Sequence, residues 1–195
     1  MKLLLNAFFS LLPVLKPQLR QLLMLFFEFT QHPDVQEKLY REVSEKLQDV
    51  DPENLEKYYE TIINEIPYLD AVIKETLRKY PVVPRLERRL AADDYELGGI
   101  KLERDTLIEI SAVAVHYDEK NYENPLKYDP DRFMPENKKN LNPYAYLPFG
   151  IGPRNCVGMR FAYQEAKICL AALSQKFVYK ASAKTPKKLY FPRGT

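Results

Sequence analysis

The segment Phe149–Gly158, which reads FGIGPRNCVG, concentrates residue types that could do chemistry. It holds one of the chain's two cysteines and three of its six glycines. A helical pattern resumes after Cys156, so we expect the cysteine near a helix N-terminus, where unpaired N–H groups and the helix dipole stabilise a thiolate. Cys156 is therefore a candidate soft, anionic metal ligand.

The neighbours of this cysteine favour a flat ligand that carries carboxylates. Gly150, Gly152 and Gly158 remove side chains where the backbone must turn tightly or approach a plane. Arg154 adds a permanent cation that can form a forked pair with a carboxylate. A thiolate, clearance for a plane and a carboxylate clamp together suit a haem with a cysteine axial ligand.

The part of the chain that precedes Pro81 is predicted to be helical, and these helices must help to position the cysteine segment. The apolar run 21–29 predicts the end of a buried helix, and Pro33 suits the first turn of the next one. Further helices are predicted from 51 to about 64, and from 68 until just before Pro81. In the helix that Pro33 opens, an apolar residue recurs every four positions, at Val35, Leu39, Val43 and Leu47.

The middle of the chain, from about 85 to 148, is predicted to form short strands and a long loop rather than helices. A stretch rich in proline and asparagine at 121–148 predicts a long meandering loop, of a kind that is usually functional in a compact domain. Gly98 and Gly99 signal a hairpin. The predicted fold class is mainly α with a small β-sheet (α+β). Strands are predicted at 85–90, 95–97, 100–102 and 106–111.

Composition excludes several classes of protein. The net charge is +2, from 29 basic and 27 acidic residues, so charge implies no nucleic-acid partner. Cys156 and Cys169 lie 13 positions apart, which fits neither a zinc pair nor a disulfide framework. Cys169 lies inside a helical pattern without special surroundings and is predicted to be a structural thiol.

The first residues form a divergent apolar segment, 1–19, ahead of the domain predicted at 20–195. The run from Leu3 to Leu15 resembles the core of a signal peptide, but Pro13 interrupts it and no small-residue cleavage site follows. It is also shorter than the roughly 20 residues that cross a bilayer. We expect a buried helix or a hydrophobic chain start rather than a targeting segment.

The pattern F-G-x-G-x-R-x-C-x-G resembles the haem-binding signature of the cytochrome P-450 family of haem-thiolate monooxygenases. The resemblance implies haem b as the cofactor, with Cys156 as the proximal iron ligand and Arg154 on a haem propionate. It also implies that Phe149 and the three glycines of the segment shape the thiolate pocket.

Two further motifs agree with this resemblance. Glu75 and Arg78, in KETLR, can pair on one helix face; alone they would be read as an ordinary surface ion pair. They match the family's ExxR motif, and PDRF at 130–133 resembles its P-x-R-F motif. The resemblance implies that Arg132 completes a Glu-Arg-Arg network, with Asp131 where glutamate is usual.

The segment PVVPRLER extends the resemblance. It implies that Arg88 contacts the other propionate, which we favour over the alternative that the charges of 85–89 belong to a solvated strand. It also implies that Val82 and Val83 line the substrate pocket. The amino-acid sequence from about Arg20 to Leu189 resembles those of eukaryotic microsomal members of the family that oxidise lipophilic drugs and steroids.

The resemblance covers roughly the C-terminal two-fifths of the family chain, so we expect an incomplete cytochrome P-450 fold. The oxygen-activating motif should fall in the window Leu11–Gln18, where Lys16 and Pro17 stand in place of the acid and the threonine. Proline carries neither a hydroxyl nor an N–H to deliver a proton. No catalytic acid–threonine pair is therefore predicted.

Three hypotheses follow. The first is a truncated haem-thiolate monooxygenase that acts on a lipophilic substrate at the cytosolic face of the endoplasmic reticulum membrane, with an NADPH-dependent flavoprotein reductase docked near Lys138, Lys139 and Arg160. The second is a catalytically inactive product, with or without haem, that binds haem weakly or acts by competing for partners. The third is a small membrane-associated protein anchored by residues 1–16.

Overall fold

A computed structural model describes the backbone of residues 2–187 and 189 and the side chains of residues 17–187 and 189. The side chains of the apolar segment 1–16 thus lie outside the described residues. The backbone of that segment from Lys2 onward belongs to a helix that continues through position 19, and the division at 19/20 stays a prediction.

Six α-helices are found in the described residues. They are α1 (Lys2–Gln31), α2 (Pro33–Leu47), α3 (Leu55–Asn64), α4 (Pro67–Lys79), α5 (Ala112–His116) and α6 (Met159–Ser174). Short 3₁₀ helices punctuate the long loop and the cysteine segment, at Pro130–Phe133, Lys138–Asn140, Pro143–Ala145 and Gly152–Arg154.

The strands form two small antiparallel sheets. They are β1 (Arg85–Arg89), β2 (Tyr95–Leu97), β3 (Ile100–Leu102) and β4 (Leu107–Ser111). Strand β1 pairs with β4, and β2 pairs with β3. Gly98 and Gly99 join β2 to β3 with φ of +57° and +83°, so both adopt the left-handed conformation that a tight hairpin turn requires. The predicted class, mainly α with a small β component, is confirmed.

Helix α4 lies at the centre of the packing. It contacts α1, α2, α5, α6 and the 3₁₀ helix Pro130–Phe133. Val72, Ile73 and Leu77 are completely buried along it. Each such side chain stabilises the fold by about 1.5–3 kcal/mol relative to exposure, so the core holds α4 rigidly.

Several predicted elements are confirmed. Pro33 lies in the first turn of α2, and the four apolar residues spaced along that helix are all buried. The predicted helix at 51–64 is wrong at its start, since α3 begins at Leu55. Asp51 accepts a hydrogen bond from the N–H of Glu53 at 2.9 Å and so holds a turn, and Asn54 caps α3.

Helix α5 was not predicted. It has five residues, too few to show helical periodicity in the sequence. Ser111 caps it by accepting a hydrogen bond from the N–H of Ala114 at 3.1 Å. The predicted strands 85–90 and 106–111 are each one residue too long.

Within the part of the chain that the structure describes, no helix combines the length and the hydropathy that a bilayer span requires.

Shortening a buried leucine of α2 should measure the strength of this core. Leu39→Ala is expected to lower the free energy of unfolding by about 2–5 kcal/mol, because it leaves a cavity in the hydrophobic core. The same change at Leu55, which is 75% exposed, should alter it by no more than about 0.5 kcal/mol. Urea denaturation measures both, and equal losses would contradict the packing described.

Candidate functional site

Glu75 and Arg78 form a buried, two-pronged ion pair on α4. Arg78 Nε lies 2.7 Å from Glu75 Oε2, and Arg78 Nη2 lies 2.8 Å from Glu75 Oε1. Both side chains are fully buried. Sequence spacing had allowed an exposed pair, and the structure excludes that reading.

The remaining polar atoms of the pair reach backbone groups of the segments that follow the sheets. Arg78 donates to the carbonyl of His116 at 2.9 Å and to that of Lys127 at 3.3 Å. Glu75 Oε1 accepts the N–H of Asp129 at 2.9 Å. The pair is therefore satisfied only when the long loop is in place.

Arg132 joins this pair at longer range. Its Nε lies 3.6 Å from Glu75 Oε1, and its Nη2 donates to the carbonyl of Asn124 at 3.0 Å. Asp131, which stands where glutamate was expected, pairs instead with Lys38 of α2 at 2.5 Å. The three predicted network residues thus lie together, with Arg132 at the edge.

The two charges of the buried pair depend on each other. Burial raises the pKa of the Glu75 carboxyl against the opposing pull of Arg78. Burial also disfavours charge on Arg78, but the hydrogen bonds and charge of Glu75 outweigh it and raise the pKa of the guanidinium. Arg78 therefore stays protonated, and its charge and two hydrogen bonds favour the ionised form of Glu75 against the effect of burial.

The cysteine segment is closed by its own backbone. The N–H of Cys156 donates to the carbonyl of Phe149 at 2.9 Å. Gly150 and Gly152 have φ of +73° and +79°, which favours glycine at both turns. The N–H of Met159, the first residue of α6, donates to the carbonyl of Cys156 at 3.3 Å. The thiol is exposed.

This thiol opens into a mostly apolar cleft of about 470 Å³. Its walls come from α1, from the connection between α4 and β1, and from the cysteine segment with the start of α6. Six predicted site residues lie together here, whereas Gly150 and Gly152 do not line the cleft. The six are Val82, Val83, Phe149, Arg154, Cys156 and Gly158.

Helix α1 contributes Pro17, Gln18 and Gln21 to the same cleft. The side-chain amide of Gln18 is buried, and neither its nitrogen nor its oxygen has a hydrogen-bond partner among the described residues. Pro17 and Gln18 belong to the window Leu11–Gln18, in which the family resemblance predicts the oxygen-activating motif. The described end of that window therefore borders the cysteine cleft. The side chain of Lys16 lies outside the described residues.

Arg88 lines a neighbouring cleft rather than the one that holds the thiol. That second cleft has a volume of about 520 Å³ and also contains Arg89, Arg104 and Arg154. Arg154 borders both clefts. A ligand bound beside Cys156 would thus have Arg154 at the edge of its cleft and Arg88 in the adjoining cleft.

These residues fit a haem. An exposed cysteine supplies the soft donor, apolar side chains supply the walls, and two arginines can pair with carboxylates. The cleft volume lies within the roughly 300–1,000 Å³ typical of ligand pockets. The side-chain amide of Gln18, which is buried at the wall without a hydrogen-bond partner among the described residues, is also typical of a surface that contacts a ligand.

His116 is a residue of this site that sequence reasoning missed. It is completely buried, and its ring bridges α4 to the segment that leads into the cysteine loop. Burial lowers the pKa of His116 to about 4, so the ring is neutral at pH 7. Neither periodicity nor a motif marks it, since α5 is too short to show a pattern.

An aromatic row was missed as well. The hydroxyl of Tyr146 lies 2.9 Å from that of Tyr163 on α6, and the rings of Tyr163 and Phe149 are 5.3 Å apart. Burial raises the pKa of both phenols, so both stay neutral. The row packs α6 against the start of the cysteine loop.

The predicted docking residues are exposed. Lys138 and Lys139 lie in a 3₁₀ helix of the long loop. Arg160 lies on α6 and lines a cleft with Lys74 and Lys167, whose ammonium groups are 2.5 and 3.0 Å from the carboxylate of Asp70.

Comparisons with known proteins agree on one family. A sequence model of cytochrome P450 matches residues 21–194. The chain is 42% identical over 154 residues to cytochrome P450 3A41 of Mus musculus, covering 79% of this chain and 29% of that protein. It is 40% identical over 169 residues to cytochrome P450 3A7 of Homo sapiens, covering 86% and 32% respectively. The chain thus spans about a third of the length of the curated relatives it matches.

Neutralising one member of the buried pair should destabilise the fold strongly. Glu75→Gln keeps the shape but leaves Arg78 charged and buried, so we expect a loss of about 3–5 kcal/mol in the free energy of unfolding. Glu37→Gln is the matched control, because Glu37 pairs with Arg41 at an exposed position and its loss should cost about 0.5 kcal/mol or less. Similar losses in both variants, measured by chemical denaturation, would refute the role given to the pair.

Proposed function

Because the chain belongs to the cytochrome P450 family, we propose that it holds haem b on Cys156 and serves a monooxygenase reaction, in which one oxygen atom of dioxygen enters a lipophilic organic substrate. The identification made from the sequence motifs is confirmed at the level of the family. The activity, the substrate and the partners are inferences from that membership.

One observation carries the proposal. An exposed cysteine, three residues before the start of α6, opens into a mostly apolar cleft that an arginine also lines. The loop that presents the cysteine adjoins a buried ion pair, Glu75 and Arg78, whose hydrogen bonds beyond the pair itself reach backbone groups of His116, Lys127 and Asp129. Such bracing would keep a thiolate in place while its ligand is bound.

Each residue then has a role. The sulfur of Cys156 would hold the iron, and Arg154 and Arg88 would pair with the two propionates. Phe149 and the glycines of the segment, 150, 152 and 158, would shape the pocket around the sulfur. Haem, when bound, supplies the redox chemistry of oxygen.

The substrate would lie against the apolar wall. Val82 and Val83 face the cleft and offer no hydrogen bonds, which favours a lipophilic molecule. Such walls also exclude water from the reacting atoms.

A second candidate function is haem binding without oxygen activation. Pro17 lines the cleft in the window where the family pattern has a threonine, and it carries no hydroxyl or N–H that could pass a proton. Product formation by haem-loaded chain with reductase and NADPH would favour the monooxygenase. Normal haem binding without product would favour this alternative.

The proposed partners follow the family. We infer an NADPH-dependent flavoprotein reductase as electron donor and the cytosolic face of the endoplasmic reticulum membrane as location. Replacing Lys138, Lys139 and Arg160 with glutamine should weaken reductase binding at low salt, since exposed cations steer acidic partners. Glutamine at the exposed Lys184 and Lys187 is the control, and equal effects in both variants would contradict the docking surface.

The ferrous–CO absorption spectrum tests the haem proposal. The chain supplied with haem should show a strongly red-shifted Soret band, because a thiolate ligand donates electron density to the iron. Cys156→Ser should abolish that band, whereas Cys169→Ser should keep it, since Cys169 lies inside α6. A missing band in the unchanged chain, or a band that survives in Cys156→Ser, would overturn the proposal.

A further inference from the structure

We propose that His116 is a positioning residue that links the buried Glu75–Arg78 pair to the cysteine loop and thereby fixes the orientation of Cys156. The part of this inference that concerns the iron ligand rests on the proposed function. The part that concerns the loop rests on the geometry alone.

The ring of His116 is held at both nitrogens by backbone groups. The N–H of Leu147 lies 2.8 Å from Nε2, and the carbonyl of Arg78 lies 2.9 Å from Nδ1. A backbone N–H can only donate, so Nε2 must be the acceptor. Nδ1 therefore carries the proton and donates it to the carbonyl of Arg78. One neutral tautomer satisfies both ends.

The backbone of His116 strengthens the same link. Its carbonyl accepts a hydrogen bond from Arg78 Nη1 at 2.9 Å. Arg78 is thus joined to His116 twice, once through its guanidinium and once through its own carbonyl. Movement of α5 relative to α4 would break both bonds.

A continuous series of hydrogen bonds leads from the ring to the cysteine. The carbonyl of Leu147 accepts the N–H of Gly150 at 3.2 Å. The carbonyl of Phe149, one residue earlier, accepts the N–H of Cys156 at 2.9 Å. A fixed position of the Leu147 amide therefore fixes the turn from Leu147 to Gly150, which includes the Phe149 carbonyl that accepts the Cys156 N–H.

Aromatic contacts set the plane of the ring. The Tyr146 ring stacks on it at 6.0 Å and 20°, and the Tyr122 ring meets it edge-on at 6.4 Å. Rotation of the imidazole would break these contacts together with both ring hydrogen bonds. The arrangement is thus a fixed spacer between α4 and the loop.

Acid should release this spacer. Once protonated, Nε2 can no longer accept the Leu147 N–H. The charged and titratable groups that face the ring are Arg78, Tyr122 and Tyr146. Burial raises the pKa of Tyr122 to about 12 and that of Tyr146 as well, and the pKa of Arg78 is raised. None of the three titrates in the acid range.

The direction of the pH effect follows from the lowered pKa of His116, about 4 against an ordinary value of 6.5. Between these values the unfolded chain binds a proton that the folded chain does not. Stability contributed by the neutral ring is therefore complete above about pH 6.5 and falls as the pH drops toward 4.

The experiment uses the full chain supplied with haem. His116→Leu removes both ring hydrogen bonds, and His116→Gln keeps an acceptor and a donor on a side chain of similar reach. The ratio of thiolate-type to other ferrous–CO bands should fall about tenfold or more in His116→Leu, in line with the usual effect of losing a group that orients a metal ligand. His116→Gln should recover most of it.

His32→Leu is the matched control, since it replaces the chain's other histidine and should leave the band ratio unchanged. The unchanged chain should also lose the thiolate-type band on acidification with a midpoint that His116→Gln does not share. A band ratio that His116→Leu leaves intact would overturn the positioning role while leaving the proposed haem site standing.

Nitrogen NMR decides the matter where no thiolate-type band forms at all. That outcome would remove the proposed function, but Nδ1 should still be protonated and Nε2 should show a coupling to the Leu147 amide. The Cys156 amide should lose order in His116→Leu and keep most of it in His116→Gln. Absence of the coupling in the unchanged chain would overturn the positioning role itself.

Discussion

A salt bridge with no contact to solvent governs this structure. Taking the charges of Glu75 and Arg78 out of water is costly, and their mutual attraction offsets that cost only if every remaining donor and acceptor is also satisfied. In this chain, backbone groups of His116, Lys127 and Asp129 form those additional hydrogen bonds. The pair on α4 therefore requires the loop to be folded against it, and the loop requires the pair.

This constraint accounts for a long loop that has little regular structure of its own. The stretch between α5 and α6 cannot be held by helix or sheet ladders, apart from brief 3₁₀ turns. It is held by the buried pair, by the ring of His116 and by the aromatic row at Tyr146 and Tyr163. The outcome is a cysteine whose backbone is fixed while its thiol stays exposed, which is what a ligand to a bound metal needs.

The sequence predicted the features that local physics decides. Periodic apolar residues gave the buried stripe of α2, and the two glycines with positive φ gave the β2–β3 hairpin. The start of α3 was missed because the Asp51 side chain stabilises a competing turn. Helix α5 was missed because five residues carry no period.

The site was predictable as a set of residues but not as an arrangement. Spacing showed that Glu75 and Arg78 could pair, yet burial depends on helices that lie far away in the chain. The motif placed Arg154 near Cys156, but only the fold shows that Arg88 borders the adjoining cleft. His116 has no sequence signal, because its importance comes from two backbone groups that meet its ring.

Native-state hydrogen exchange tests the central claim most directly, because it reports how much free energy is needed to open individual amides. The amides of Asp129 and Leu147, which are bonded to Glu75 and to His116, should exchange only through openings about as costly as those that expose the core of α4. Exchange of either amide as fast as that of an exposed loop such as 182–185 would contradict the claim that the buried pair and the cysteine loop form one cooperative unit.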